Sequence, residues 1–229
     1  MTFAAVVLLL TQDNYKFYEQ IASVDVLQGK DVQAELKVTD TQVNALNKYG
    51  GMYNSVAGRL KDGYQKGQVS KGEFDRAIQD AQEQLHTQIL LELKKEQVVR
   101  LGQITLQRAG ILAILNSTVA TQIGLTEAQS KALRDGIQKT GREVAEVERA
   151  AKEPILLKYK AMEPKSDDEK KKLSESMENE LAEANSKIQP DLKRLRKSFE
   201  DLVESTLTKA QMETWKQLKG PVFSPKKEG

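Results

Sequence analysis

The strongest constraint on this chain is that part of it occurs twice. Residues 32–46 align with residues 119–133 at an offset of 87 and without a gap. The alignment pairs Val32 with Val119, Leu36 with Ile123, Val38 with Leu125, Thr39 with Thr126, Gln42 with Gln129 and Leu46 with Leu133. Further along, residues 93–101 align with 207–215 at an offset of 114, pairing Leu93 with Leu207 and Gln97 with Gln211. Because the offset grows from 87 to 114, the second half holds 27 additional residues, placed in 150–190 with Pro154, Pro164 and the charged run 167–172. Such a repeat reads as two copies of one supersecondary unit. The expected organisation is an apolar N-terminal segment and lead-in at 1–24, module A at 25–110, module B with its proline-containing insertion at 111–222, and a flexible tail at 223–229, loose from Gly220 onward.

The repeated motif is an apolar residue, then Thr-x-x-Gln, and local physical chemistry explains it. A Thr followed three residues later by Gln is a capping box: the hydroxyl accepts from the third amide of the helix, and the Gln side chain accepts from the N-cap amide. Thr39 with Gln42, Thr126 with Gln129 and Thr208 with Gln211 are therefore expected to open helices. Gln97 stands in a degenerate copy, Leu93-Lys94-Lys95-Glu96-Gln97, which lacks the Thr and so loses about 1 kcal/mol of capping.

The rest of the pattern is helical. Thr39 starts a helix to about Tyr49, where Gly50 and Gly51 interrupt or bend it, and Gly58, Gly63 and Gly67 loosen the chain to Ser70. Ser70 and Glu73 form another capping box. The helix that follows carries Phe74, Ile78, Ala81, Leu85, Ile89 and Leu93 at three- to four-residue spacing, a stripe expected to be buried. Thr126 opens a long helix to about Glu153, and Pro154 and Pro164 bend or break the chain. Ser166 starts the next helix, Pro190 kinks or restarts it, and Thr208 begins the last. No segment alternates as a strand does. The expected fold class is all-α: two related helical modules with long amphipathic helices in a pseudo-twofold arrangement.

Composition excludes much chemistry. There is no Cys, so disulfides, thiolate catalysis and Cys-based metal sites are out. A single histidine, His86, has no second His beside it for a metal site or for most His-dependent catalysis, and is expected to pack or face solvent. The acidic groups Asp167, Asp168 and Glu169, and Glu178, Glu180 and Glu183, lack the spacing of a calcium loop. No nucleophile elbow, phosphate loop or dinucleotide fingerprint occurs. No catalytic, cofactor-binding or metal residue is assigned, and an enzyme is not expected. The balance of 35 basic and 33 acidic residues, even within each half, argues against a nucleic-acid partner.

Two segments invite interaction. The apolar run 3–10 is too short to span a bilayer, and no other segment reaches the required ~20 residues. It has the length of a signal-peptide core but no preceding Lys or Arg and no clear cleavage site, so a signal remnant and a buried N-terminal segment both fit. The second segment is an amphipathic basic helix, in which Lys187, Lys193, Arg194, Arg196 and Lys197 interleave with Ile188, Leu192 and Leu195. It fits either a solvated face or a contact surface for a membrane, nucleic acid or partner chain.

The motifs Leu125-Thr126-Glu127-Ala128-Gln129 and Leu207-Thr208-Lys209-Ala210-Gln211, with Val38-Thr39-Asp40-Thr41-Gln42 and the degenerate copy ending at Gln97, resemble the paired LTxxQ motifs of the bacterial Spy/CpxP family. Residues 74–88 are similar to the helix before that family's second motif. The resemblance implies a periplasmic or exported protein of the bacterial envelope, with the cytoplasm as the alternative. It also implies an ATP-independent, chaperone-like binder of unfolded or partly folded proteins, or an envelope-stress protein. The assembly it implies is a homo-oligomer or a single-chain pseudo-dimer. Lys187, Ile188, Leu192, Lys193, Arg194, Leu195, Arg196 and Lys197 are then the candidate client-binding residues. The zinc ligands of some relatives are missing here. The competing expectation is a structural or regulatory helical protein that docks one specific partner through the same basic helix.

Overall fold

The computed structural model describes residues 15–164 and 166–224. The apolar run 3–10 and the last five residues lie outside them. The protein is all-α, with no strand among the described residues. In order, the helices are α1 at 15–21, α2 at Val24–Leu27, α3 at Lys30–Glu35, α4 at Asp40–Gln65, α5 at Lys71–Glu92, α6 at Lys95–Ala109 with a 3-10 extension at Gly110–Leu115, α7 at Ser117–Ile123, α8 at Glu127–Lys160, α9 at Asp167–Thr206 and α10 at Lys209–Lys219.

Two compact units divide the chain: Met1–Ala113 together with Thr214–Gly229, and Ile114–Glu213. Each is built on one antiparallel helical hairpin, α4 with α5 and α8 with α9. The 27 extra residues of the second copy are absorbed as longer helices rather than as a loop. Its hairpin has helices of 34 and 40 residues against 26 and 22 in the first.

Pro164 lies in the break between α8 and α9, as the sequence pattern suggested, but Gly50, Gly51, Pro154 and Pro190 interrupt no helix. α4 runs unbroken through Gly50, Gly51, Gly58 and Gly63. A glycine inside a helix costs about 1 kcal/mol relative to Ala but removes no hydrogen bond, so packing of α4 on α5 can override it. α8 continues through Pro154 and α9 through Pro190. A proline there forfeits one backbone bond, and the extensive α8–α9 contact holds both helices past it.

The first unit's core gathers Leu27, Val32, Leu36, Ile89, Leu90, Leu93, Val98, Leu101 and Ile104 at the base of its hairpin. Along α5 the expected stripe is buried only at Ile89 and Leu93, while Phe74, Ile78, Ala81 and Leu85 are half-buried. A two-helix layer has no third element to cover the outer part of the stripe. α6 with its 3-10 extension, Lys95–Leu115, is long and apolar enough to cross a membrane by length and composition, which corrects the expectation that no further segment qualifies. Here Val98, Leu101, Ile104 and Leu106 lie in the unit's interior. Its arginines pair outward, Arg100 with Glu35 at 2.6 Å and Arg108 with Asp31 at 2.9 Å.

The chain after Gly220 is not loose as far as it is described. The Gln107 side chain donates to the Lys219 and Pro221 carbonyls at 2.6 and 2.8 Å and accepts from the Phe223 amide at 2.7 Å. Arg100 donates to the Pro221 carbonyl at 2.7 Å, and the Tyr18 hydroxyl to that of Leu218 at 2.8 Å. Burial pushes the Tyr18 phenol above its ordinary pKa. The segment the sequence assigned to module B and to a free tail therefore belongs to the first unit from Thr214 onward.

Candidate functional site

Each motif is a helix start whose glutamine also does something a capping box does not require. Thr39 and Thr126 accept from the Gln42 and Gln129 amides at 3.3 and 3.2 Å, and Thr208 accepts from that of Gln211 at 3.2 Å. In return, Gln42 Oε1 accepts from the Thr39 amide, Gln129 Oε1 from Thr126 and Gln211 Oε1 from Thr208. The degenerate copy keeps half of this, since Gln97 Oε1 accepts from the Lys94 amide at 2.8 Å.

The four side-chain NH2 groups then pair the motifs. Gln42 donates to the Glu92 carbonyl at 2.6 Å and to Gln97 Oε1 at 2.9 Å. Gln97 donates to the Leu36 carbonyl at 3.0 Å and back to Gln42 Oε1 at 3.3 Å. In the second unit Gln129 donates to the Thr206 carbonyl at 2.8 Å and to Gln211 Oε1 at 2.9 Å, while Gln211 donates to the Gly124 carbonyl at 2.7 Å and back to Gln129 at 3.0 Å. Glu92 and Thr206 stand at the second offset, and Leu36 is one residue short of the position matching Gly124 at the first. The two copies therefore build one clasp twice, tying the base of each hairpin. Sequence reading found the four glutamines but not the pairing. The available signal was that both motif types recur as a set in each half.

The clasp also explains the residue before the apolar one. Lys37 has φ +51 and Gly124 φ +74, and they are equivalent at the offset of 87. In each copy the next amide reaches back five residues, Val38 to Gln33 and Leu125 to Ala120, both at 2.9 Å. That is a Schellman end. It turns the carbonyls of the ending helix toward the partner glutamine. These are neutral amides with their hydrogen bonds filled, so the clasp carries no nucleophile and no proton relay.

The basic helix is corrected by its burial. Ile188 and Leu195 are core residues and Leu192 is half-buried. The interleaved aliphatics form the inner face of α9, because a helix in a two-helix layer turns its apolar stripe inward. The cations are exposed, and four pair along their own helix: Lys187 with Glu183 at 2.8 Å, Arg194 with Asp191 at 3.2 Å, Arg196 with Glu200 at 3.3 Å and Lys197 with Asp201 at 2.7 Å. Lys193 is exposed as well. This stretch presents a charge-balanced, solvated face without exposed aliphatics.

Other chemistry-bearing groups are structural. His86 Nε2 lies 2.9 Å from the Ala22 carbonyl, joining α5 to the α1–α2 junction. No group of three or more His, Asp or Glu side chains is gathered for a metal ion among the described residues. Near the far end of the second hairpin, Glu180 receives Lys158 at 2.5 Å and the Tyr159 hydroxyl at 2.8 Å. The Lys158 hydrogen bond lowers the Glu180 pKa, and the same bond raises that of Lys158. A hollow of about 320 Å³ beside it is lined by Leu156, Tyr159, Lys160, Lys170, Leu173 and Met177. In the first unit, a larger hollow of about 510 Å³ opens between α2, α3, α4 and α5.

No protein-family description, no curated protein and no solved structure matches this chain.

Proposed function

We propose that the protein is a nucleotide-independent binder of unfolded or partly folded polypeptides, acting through apolar surface on its helical hairpins and not through a catalytic centre. One observation carries this reading. Large apolar side chains are left in solvent on both hairpins: Met52 (57% exposed) on the first, and Leu156 (48%), Leu157 (59%) and Met162 (41%) near the turn of the second. On the second hairpin Lys160 and Lys170 stand beside Leu156, with the Lys158–Glu180 pair close by. Flexible Met and Leu contacts beside mixed charge hold many sequences weakly, without one register. The motif likeness to Spy/CpxP proteins supports the same reading, and with it a place in the bacterial envelope. The candidate surface moves from the basic stretch of α9 to the hairpin faces.

The test is suppression of aggregation for three chemically different denatured proteins at near-stoichiometric amounts. Leu156→Ser with Leu157→Ser should weaken suppression several-fold while leaving the melting temperature within a few degrees. Failure on all three clients discards the reading. Retention of one dominant species from a cell extract would then favour the dedicated-partner alternative.

A further inference from the structure

We propose that the hollow between α2, α3, α4 and α5 is a binding site for an extended, uncharged polypeptide segment. The inference rests on the polypeptide-binding reading and gives it a defined site and a specificity. Three features converge on it. The first is the lining, which among the described residues contains no Asp, Glu, Lys or Arg in a chain that is 30% charged. A charged ligand group entering it would lose hydration and find no counter-charge.

The second feature is unused hydrogen-bonding capacity. Gln28, Asn47 and Asn54 line the hollow, are open to water and make no side-chain hydrogen bond to the protein among the described residues, so a ligand can replace their water without breaking an internal bond. Gln33 in the same lining is engaged with the Leu27 carbonyl at 3.0 Å. A carboxamide offers a donor and an acceptor side by side, as a peptide group does, and matches an extended backbone lying over the apolar floor of Leu27 and Ile89.

The third feature is Gly50 and Gly51. Neither has a positive φ, and nothing stands within 4 Å of where either Cβ would be. Backbone conformation and internal packing give no reason for glycine at these two positions, as they give none at Gly58 and Gly141; what sets Gly50 and Gly51 apart is that they are adjacent and share one hollow. Both line the hollow, where two missing side chains let another main chain come close to the helix backbone. The second copy shows that the fold does not need this: at the offset of 87, Asn47, Gly50 and Gly51 correspond to Arg134, Ile137 and Gln138 in an unbroken α8. The volume of about 510 Å³ lies within the range of ligand sites, roughly 300–1,000 Å³.

The experiment is an NMR titration of the full chain with a capped heptapeptide of Val, Ser, Thr and Asn, and with matched peptides carrying three Asp or three Lys. The neutral peptide should shift the amides of Gly50 and Gly51 and the side-chain amides of Gln28, Asn47 and Asn54. The charged peptides should bind at least tenfold more weakly. The double variant Gly50→Ala, Gly51→Ala should melt higher than the parent yet bind the neutral peptide at least tenfold more weakly. No shift up to millimolar peptide, equal binding by the variant, or tighter binding of neutral maltoheptaose at the same residues would each overturn the site. If the variant still suppresses client aggregation as the parent does, the hollow is dispensable and this inference falls while the broader reading stands. If parent and variant both fail on every client, the broader reading falls with it.

Discussion

At the scale of single residues, the clasp glutamines are irreplaceable by their nearest relative. Gln42→Glu removes both donated bonds and sets a carboxylate against the Glu92 carbonyl and Gln97 Oε1. It is expected to cost about 2–4 kcal/mol in urea unfolding, since buried partners are left unsatisfied. Gln129→Glu should cost less, because Gln129 is half-buried while Gln42 is buried. Thr126→Ala removes only one cap bond and should cost about 1 kcal/mol. Lys37 is the other informative position. It holds the left-handed conformation that its counterpart Gly124 adopts freely, at a cost of roughly 1 kcal/mol for a side chain. Lys37→Gly should therefore stabilise the first unit by up to about that amount, and an unchanged or lowered unfolding midpoint would contradict the account.

At the scale of elements, glycines divide by what surrounds them. Gly58 in α4 and Gly141 in α8 have open space where a Cβ would stand. Substitution by Ala should stabilise each helix by about 0.5–1 kcal/mol. Gly102 in α6 differs, because a Cβ there would stand 2.7 Å from the Tyr18 ring. Gly102→Ala would push that ring away, strain its hydrogen bond to Leu218 and lower the melting temperature. Circular dichroism melts of the three variants separate the cases. The hairpin helices also differ in how they respond to acid. Ser70 hydrogen-bonds Glu73 and lowers its pKa, so this cap holds above the ordinary carboxylate range and is lost as pH falls through the lowered value. The glutamine caps carry no such proton. Protection of the Ser70 amide relative to its intrinsic exchange rate should fall as the pH drops below the ordinary carboxylate range, while that of the Thr39 amide, bonded to a glutamine, should not.

At the scale of the whole molecule, the chain end belongs to its beginning. Leu218, Lys219, Pro221 and Phe223 are bound by α1 and α6 side chains in the first unit. Deleting 214–224 removes those bonds together with buried Trp215 and Leu218. Hydrogen exchange should then show the core amides of α6 opening by orders of magnitude faster, with the middle of the α8–α9 hairpin little changed. Equal loss in both would show that the two units do not unfold as the division implies. Trp215→Ala alone should cost about 3–5 kcal/mol.

The helix starts were legible in the residues because capping chemistry is local. A Thr hydroxyl and a Gln amide three positions later settle their own geometry, and Thr39, Ser70, Thr126, Ser166 and Thr208 all open helices where the pattern put them. The all-α class followed from the same short-range periodicity. Three features became apparent only in the assembled molecule. Gly50, Gly51, Pro154 and Pro190 sit inside unbroken helices, because a partner helix packed alongside outweighs a local cost of a few kcal/mol. Ile188 and Leu195 turn inward, since an amphipathic stripe shows which residues share a face but not which face is covered. Gln42 finds Gln97, and Gln129 finds Gln211, across 55 and 82 residues. Such a pairing is made when two hairpin ends close on one another, and no hydrogen bond within one turn of chain encodes it.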